Sequence, residues 1–332
     1  MSRLTSYVRL LASAQFQAKL IMSAHIFGRT LSGVAGSLRC GITLAALGAA
    51  ACTSTPATKA GLHPVQISFD ARVGEKPLKC GESYANVGSS KATILPQDFR
   101  IYLSEVRLIA RDGREVPLAL TPDDQWQNAS VALLDFEDGT GNCNGNKAMN
   151  SVVRGSAPDG DYVGLIFQIG IPYDLNHKDP TLAAAPLNYT ALTWPWRIGY
   201  KFTTIDLETA NKTAAPGHGK MAGMPGMNAS GFSIHLGSTE CGAGSPMTPP
   251  DKPCENPNRP TFRLEKFDIA RQTVVLDLAA LLSGTDVTVN APSSASGCMA
   301  FVDDDDCIAI MDRFGLNFRG KASSGQTFVK AG

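Results

Sequence analysis

The sequence predicts an all-β domain: a disulfide-stapled antiparallel β-sandwich or irregular β-barrel with long loops. Three observations carry this. Short runs of alternating apolar and polar residues recur between turn-forming residues, which is the period of a half-buried strand. No sustained 3.6-residue period appears, so helices do not organise the core. Six cysteines remain once the N-terminal segment is set aside, namely Cys80, Cys143, Cys241, Cys254, Cys298 and Cys307. An even number fits pairing in an oxidising compartment.

Residues 1–51 read as a removable leader. A basic stretch runs into the apolar segment from Cys40 to Cys52, which falls short of the roughly 20 residues a membrane-spanning helix needs. The small residues Ala49, Ala50 and Ala51 before Cys52 have the character of a lipobox, making Cys52 the lipid-bearing first residue of the mature chain. Cleavage near Ala51 as an ordinary secretory signal is the alternative. Met22 offers a second start, with a shorter basic region containing Arg29 and Arg39. Either reading puts the mature chain in the periplasm or at the outer membrane or cell surface, attached to the membrane at most by lipid. Residues 52–63 follow as a tether, 64–320 as one β domain and 321–332 as a C-terminal tail.

Within the domain, Val65 to Val73, Phe99 to Ile109 and Val131 to Phe136 alternate as strands. Arg111-Asp-Gly-Arg114 joins two extended runs, and an Asp-Gly pair in that setting signals a hairpin. Tyr162 to Gly170, Trp196 to Phe202, Gly231 to Leu236 and Val274 to Leu278 continue the series, with one short helix at most, over Asp277 to Leu282. Two loops are poor core material: Ala210 to Ser230, rich in methionine, and Gly242 to Pro260, rich in proline. Loop proximity favours pairing Cys241 with Cys254 and Cys298 with Cys307, leaving Cys80 for Cys143. A thiolate zinc site lacks the C-x-x-C spacing it would need.

Charge is balanced, with 30 basic and 30 acidic residues, so nothing suggests binding to nucleic acid or to an anionic surface by bulk charge. Metalloprotease, serine-hydrolase, P-loop and dinucleotide motifs are missing, which argues against an enzyme. The candidate ligands are few. His177 follows a strand in a polar segment, and His235 lies inside one; either, taken alone, reads as a structural histidine. Trp194-Pro-Trp196 places two of the three tryptophans two residues apart, on one face of an extended segment. His218 with Met221, Met224 and Met227 forms a soft-ligand tract of the kind that suits Cu(I). Asp303 to Asp306 lacks the spacing of an EF-hand loop and reads as a solvated turn.

Several strings taken together resemble the MbnP-like family, also called the metallo-mystery pair four-Cys motif proteins. They are Phe69-Asp-Ala-Arg-Val-Gly74 leading to Cys80, Asp98-Phe-Arg-Ile-Tyr-Leu-Ser-Glu-Val-Arg-Leu108, and Leu133-Leu-Asp-Phe-Glu-Asp-Gly139 before Cys143. The series continues with Ile169-Gly-Ile-Pro-Tyr-Asp-Leu-Asn-His177, Trp194-Pro-Trp-Arg-Ile-Gly-Tyr-Lys-Phe202 and His235-Leu-Gly-Ser-Thr-Glu-Cys241. The match runs in order over residues 65–318. The resemblance implies an exported copper-binding protein paired with an MbnH-like di-haem protein of the bacterial cytochrome c peroxidase family. In that family the partner oxidises a tryptophan to kynurenine, and copper binding depends on the change. Carried over, it makes Trp194 and Trp196 the tryptophans of the matching motif, with Trp126 a third candidate for oxidation. His177 and His235 become the preferred copper ligands, with His63 an additional one. The methionine tract falls outside the matching strings. A structural or adhesion sandwich without a metal site is the alternative function.

Overall fold

The computed structural model describes residues 61–195, 198–210, 231–242, 245, 247–292 and 294–332. Two curled sheets make the fold. In the first, six-stranded sheet the order is Val329–Ala331, Val274–Asp277, Leu62–Val73, Val152–Pro158 and Ala119–Leu120, with Lys76–Pro77 branching from Leu62–Val73. In the second, nine-stranded sheet the order is Thr261–Leu264, Tyr162–Ile169, Ala92–Ala110, Thr203–Thr209, Gly231–Leu236 and Gly297–Cys298. Tyr84–Val87, Glu115–Pro117 and Val131–Asp135 also pair with the long strand Ala92–Ala110. A separate pair joins Thr239–Cys241 to Cys254–Asn256.

The alternation that predicts the strands also builds the core. Ile67, Phe69, Ala71 and Val73 point inward from the first sheet, and Phe99, Ile101 and Leu103 from the second. Phe69 meets Phe167 edge to face at 5.5 Å, so an aromatic pair joins one sheet to the other. The predicted hairpin is present: Ala92–Ala110 turns back into Glu115–Pro117, with Gly113 at φ +85° supplying the left-handed residue. Asp277 caps the predicted helix Leu278–Leu282 by accepting the backbone N–H groups of Ala279 and Ala280. All three disulfides pair as loop proximity suggests: Cys80–Cys143, Cys241–Cys254 and Cys298–Cys307.

Several expectations need correction. Two pairings are parallel, Leu62–Val73 with Val274–Asp277 and Gly231–Leu236 with Gly297–Cys298; alternation reports which face a residue occupies, not strand direction. Leu62 and His63, expected in the tether, belong to the first strand. The domain does not stop at 320: residues 321–332 are no free tail, because Val329–Ala331 pairs with Val274–Asp277 and Phe328 is fully buried. The run ending at Phe202 is not a strand through its length. Trp194 N–H donates to Gly199 O and Ile198 N–H to Pro195 O, closing a turn around Gly199 at φ +83°, and regular pairing starts at Thr203. A helix that strand-like spacing hides spans Cys307–Phe314, burying Cys307, Ile310, Met311 and Phe314 on one face. Asp303 to Asp306 forms the turn that leads into it, exposed at Asp303 and Asp305, but Asp304 is buried and accepts from the N–H groups of Met299 and Asp306.

The outer face of the second sheet positions the site. Asp98, Arg100, Tyr102 and Ser104 lie on the face of Ala92–Ala110 opposite Phe99 and Ile101, and all four are buried. The connection between Ile169 and Thr203 packs against Tyr102 and Ser104. Ser104 donates to Gly170 O, Tyr102 to Pro186 O, and the Tyr102 and Tyr200 rings meet edge to face at 5.9 Å. A polar layer is thus sealed beneath a loop that carries His177 and Trp194.

Candidate metal centre

Strand register sets the polar layer in rows. Asp135, Arg100, Thr204 and His235 stand opposite one another across four neighbouring strands, and Asp98, Asp206 and Ser233 form the next row. His235 is 1% exposed. Its Nε2 lies 2.8 Å from Asp206 Oδ1. Among the described residues its Nδ1 is buried without a hydrogen-bond partner, and so is the hydroxyl of Thr204 directly across the strand pair. An unsatisfied buried polar atom costs about 1–3 kcal/mol, so two on facing residues mark a place where a ligand can supply what the protein does not.

Trp194 packs over this point. Its ring lies 6.3 Å from that of His235 and 6.2 Å from that of Phe301. Gly237 makes the approach possible: a Cβ there would sit 2.4 Å from Trp194 Cζ3 and 2.9 Å from Tyr200 O. The loop is fastened to the His177 turn by the same device. A Cβ on Gly199 would fall 2.5 Å from Asn176 O, and Asn176 Oδ1 accepts the Tyr200 N–H at 2.9 Å.

His177 closes the short helix Tyr173–Asn176 and is buried. Its Nε2 is 3.3 Å from Asn176 Nδ2 and 3.5 Å from Cys254 Sγ, and its ring stands edge-on to Tyr173 at 5.0 Å. Ligand atoms of His177, Cys241 and Cys254 lie within 4.8 Å of one another. The two sulfurs are bonded to each other, so of these three only the imidazole has a lone pair suited to a metal. The structure therefore brings the His177 turn, the Trp194 loop and the His235 strand together around one loop.

The remaining predicted residues lie elsewhere. His63 is on the first sheet, exposed, with Nε2 3.1 Å from Asp159 Oδ1. Trp126 is buried in the hydrophobic core beside Val131–Asp135, its N–H held by Asp123 and its C=O by the Leu133 N–H. Trp196, Cys52 and the tract of His218, Met221, Met224 and Met227 lie outside the described residues.

Burial pushes the Asp206 carboxyl up, but the His235 ring, a hydrogen bond from Ser233 and the Lys201 ammonium outweigh it and hold Asp206 below the usual aspartate range. Burial lowers the Lys201 ammonium. Burial opposes the Arg100 cation too, yet the hydrogen bonds and charge of Asp98 keep it firmly protonated. Asp135 has no such partner. One oxygen accepts the Glu137 N–H, the other accepts nothing, and burial raises its carboxyl to about 7, against the pull of Arg100 and with the push of Glu137.

A pH dependence follows from Asp135. The folded chain keeps a proton that the unfolded chain releases near 3.8, so stability falls as pH rises from about 4 to about 7 and is level above that. Three units correspond to roughly 4 kcal/mol at most. Asp135→Asn removes this slope, so urea titrations are expected to show the variant gaining on the native chain at about pH 8 relative to about pH 5. Equal differences at both pH values would put the ionised carboxylate in the native fold.

Asp206, Asn176, Gly237 and Phe301 escape sequence reasoning. Asp206 had one signal: a carboxylate between Ile205 and Leu207 in a strand whose other face is core. Gly237 stands in the string that begins at His235, but only the packed Trp194 shows why a side chain is excluded there.

The profile of the MbnP family matches residues 63–300. No curated protein matches the chain. Among solved structures, MbnP from Methylosinus trichosporium is similar with a TM-score of 0.71 and 32% identity, over 82% of this chain and 99% of that one.

Proposed function

The chain belongs to the MbnP family, and from that premise we propose that it is an exported, non-enzymatic copper-binding protein used in copper acquisition, storage or handling. The observation that carries the reading is the buried His235 imidazole, anchored at Nε2 by Asp206 and unpartnered at Nδ1, with Trp194 packed beside it. Imidazole nitrogens suit copper, and a carboxylate behind the ring is the usual arrangement behind a metal-bound histidine. His235 and His177 would hold the ion together with an oxidised tryptophan, Trp194 or Trp196. Bound copper supplies a soft, redox-active centre. Three disulfides and the family agree with work outside the cytoplasm.

The partner in this reading is an MbnH-like di-haem protein that oxidises the tryptophan. Supplied with peroxide, it would place two oxygen atoms across the indole C2–C3 bond, which breaks; hydrolysis then releases formate. The product, kynurenine, carries an aromatic amine and a ketone where the indole had only a donor N–H. Trp194 is half-buried with the His235 ring against it, so the residue is partly open to an oxidant while standing next to a ligand. Co-expression with the partner is expected to give a copper-loaded chain and a kynurenine mass change in the peptide bearing Trp194 and Trp196. A chain that stays unmodified and copper-free under those conditions would leave the structural sandwich as the better reading.

A further inference from the structure

We propose that Asp206 is the positioning residue of the metal centre: by accepting the His235 Nε2–H it fixes the tautomer and makes Nδ1 the ligating nitrogen. This rests on the copper-binding reading and adds to it the atom that ligates and the residue that selects it.

The geometry argues as follows. A carboxylate accepts hydrogen bonds and has none to give, so the 2.8 Å contact requires the proton on Nε2. His235 is 1% exposed and, among the described residues, its Nδ1 has no hydrogen-bond acceptor, so a second proton there would be buried and unpaired. With the proton on Nε2 held by Asp206, the geometry leaves Nδ1 as the nitrogen that offers a lone pair. Asp206 is itself fixed. It is on Thr203–Thr209, between Asp98 and Ser233 in register, and Ser233 donates a hydrogen bond to it. Two adjacent strands therefore hold both ends of the contact, and ring rotation would cost the buried hydrogen bond. Thr204, facing His235, offers no competing bond, since its hydroxyl is also without a partner. The ring is oriented before any metal arrives, and Trp194 lies against it.

The test uses the mature chain co-expressed with its haem partner, isotopically labelled at the histidine ring nitrogens, together with Asp206→Asn and Asp206→Leu. In the metal-free native chain, nitrogen NMR is expected to show His235 protonated at Nε2 and bare at Nδ1. Cu(I) affinity is then measured by competition with a chromophoric chelator. Losing an outer partner of a ligating histidine costs about 10–100-fold in metal affinity. Asp206→Asn keeps an acceptor and is expected to keep the tautomer and lose affinity near the lower end. Asp206→Leu is expected to mix the tautomers and lose affinity near the upper end. A native tautomer protonated at Nδ1 overturns the proposal, as does native Cu(I) affinity in Asp206→Asn together with an unchanged ring spectrum. That second result needs only the milder variant to fold. A native chain that binds no Cu(I) although its tryptophan is modified overturns the copper reading instead, while the tautomer measurement still decides the role of Asp206 toward the ring.

Discussion

Phe328→Ala is expected to destabilise the domain by about 3–5 kcal/mol, the range for removing a fully buried phenylalanine side chain, although only four residues follow Phe328 in the sequence. Its ring is 0% exposed and lies 5.2 Å from Phe314, 6.4 Å from Phe262 and 6.5 Å from Phe99. It therefore joins the helix Cys307–Phe314 to the edge strand and the long central strand of the second sheet. Its backbone C=O accepts the Asp277 N–H at 2.8 Å, and the following Lys330 Nζ reaches Asp277 Oδ2 at 3.0 Å, beside the cap of the helix Leu278–Leu282. The loss is a large share of the roughly 5–15 kcal/mol that holds a domain together. Truncation after Gly320, which removes this ring and the strand Val329–Ala331 together, is expected to prevent folding. Urea unfolding measures the first effect and soluble expression the second. A loss under about 1 kcal/mol for Phe328→Ala would describe an exposed tail.

That the same segment reads as a tail from sequence has a local cause. Between Lys321 and Gly332 the apolar signal reduces to Phe328 and Val329, preceded by Ser323-Ser-Gly-Gln326, too short a run for a period to show. What makes it a strand is the free edge of Val274–Asp277, more than fifty residues upstream. The strands that are legible, Val65 to Val73 or Gly231 to Leu236, alternate over enough residues to identify a buried face. Direction is a different property, and both parallel pairings escape for that reason. Trp194 to Tyr200 shows a third limit, where turn chemistry at Pro195 and Gly199 overrides strand-forming aromatic residues.

The site is legible as residue types and not as an arrangement. His177, His235 and Trp194 stand in strings that resemble one family, and the structure gathers their segments around one loop. Neither the anchoring carboxylate nor the unpartnered nitrogen can be read from spacing, because Asp206 and His235 are 29 residues apart and meet only through strand register. His63 carries the same side chain as His235 but ends in a solvent-exposed contact with Asp159. Ring environment separates the two, and environment is a tertiary property. The polar layer of Asp98, Arg100 and Asp135 is equally hidden, since charged residues in a strand are ordinarily taken for its solvent face.

His235→Ala is expected to abolish measurable copper binding while leaving the chain folded, and the two halves of that statement separate a ligand from a packing residue. Truncation removes one imidazole and leaves Asp206 with Ser233 and Lys201 as its charge-compensating neighbours. The cost of a buried polar group losing one partner is about 1–3 kcal/mol, less than a domain of this size holds in reserve. The three disulfides further restrict the unfolded chain. Copper affinity should fall by more than the 10–100-fold expected for losing an outer-shell partner alone, because the ligating nitrogen itself is gone. His63→Ala supplies the control: it removes an exposed imidazole that pairs with Asp159 and is expected to leave Cu(I) affinity unchanged. Chelator competition and thermal unfolding on the same preparations check both variants. Copper binding at native affinity in folded His235→Ala would remove His235 from the ligand set and return its buried nitrogen to the status of an unexplained polar atom. Loss in His63→Ala equal to that in His235→Ala would place the ion near the first sheet instead.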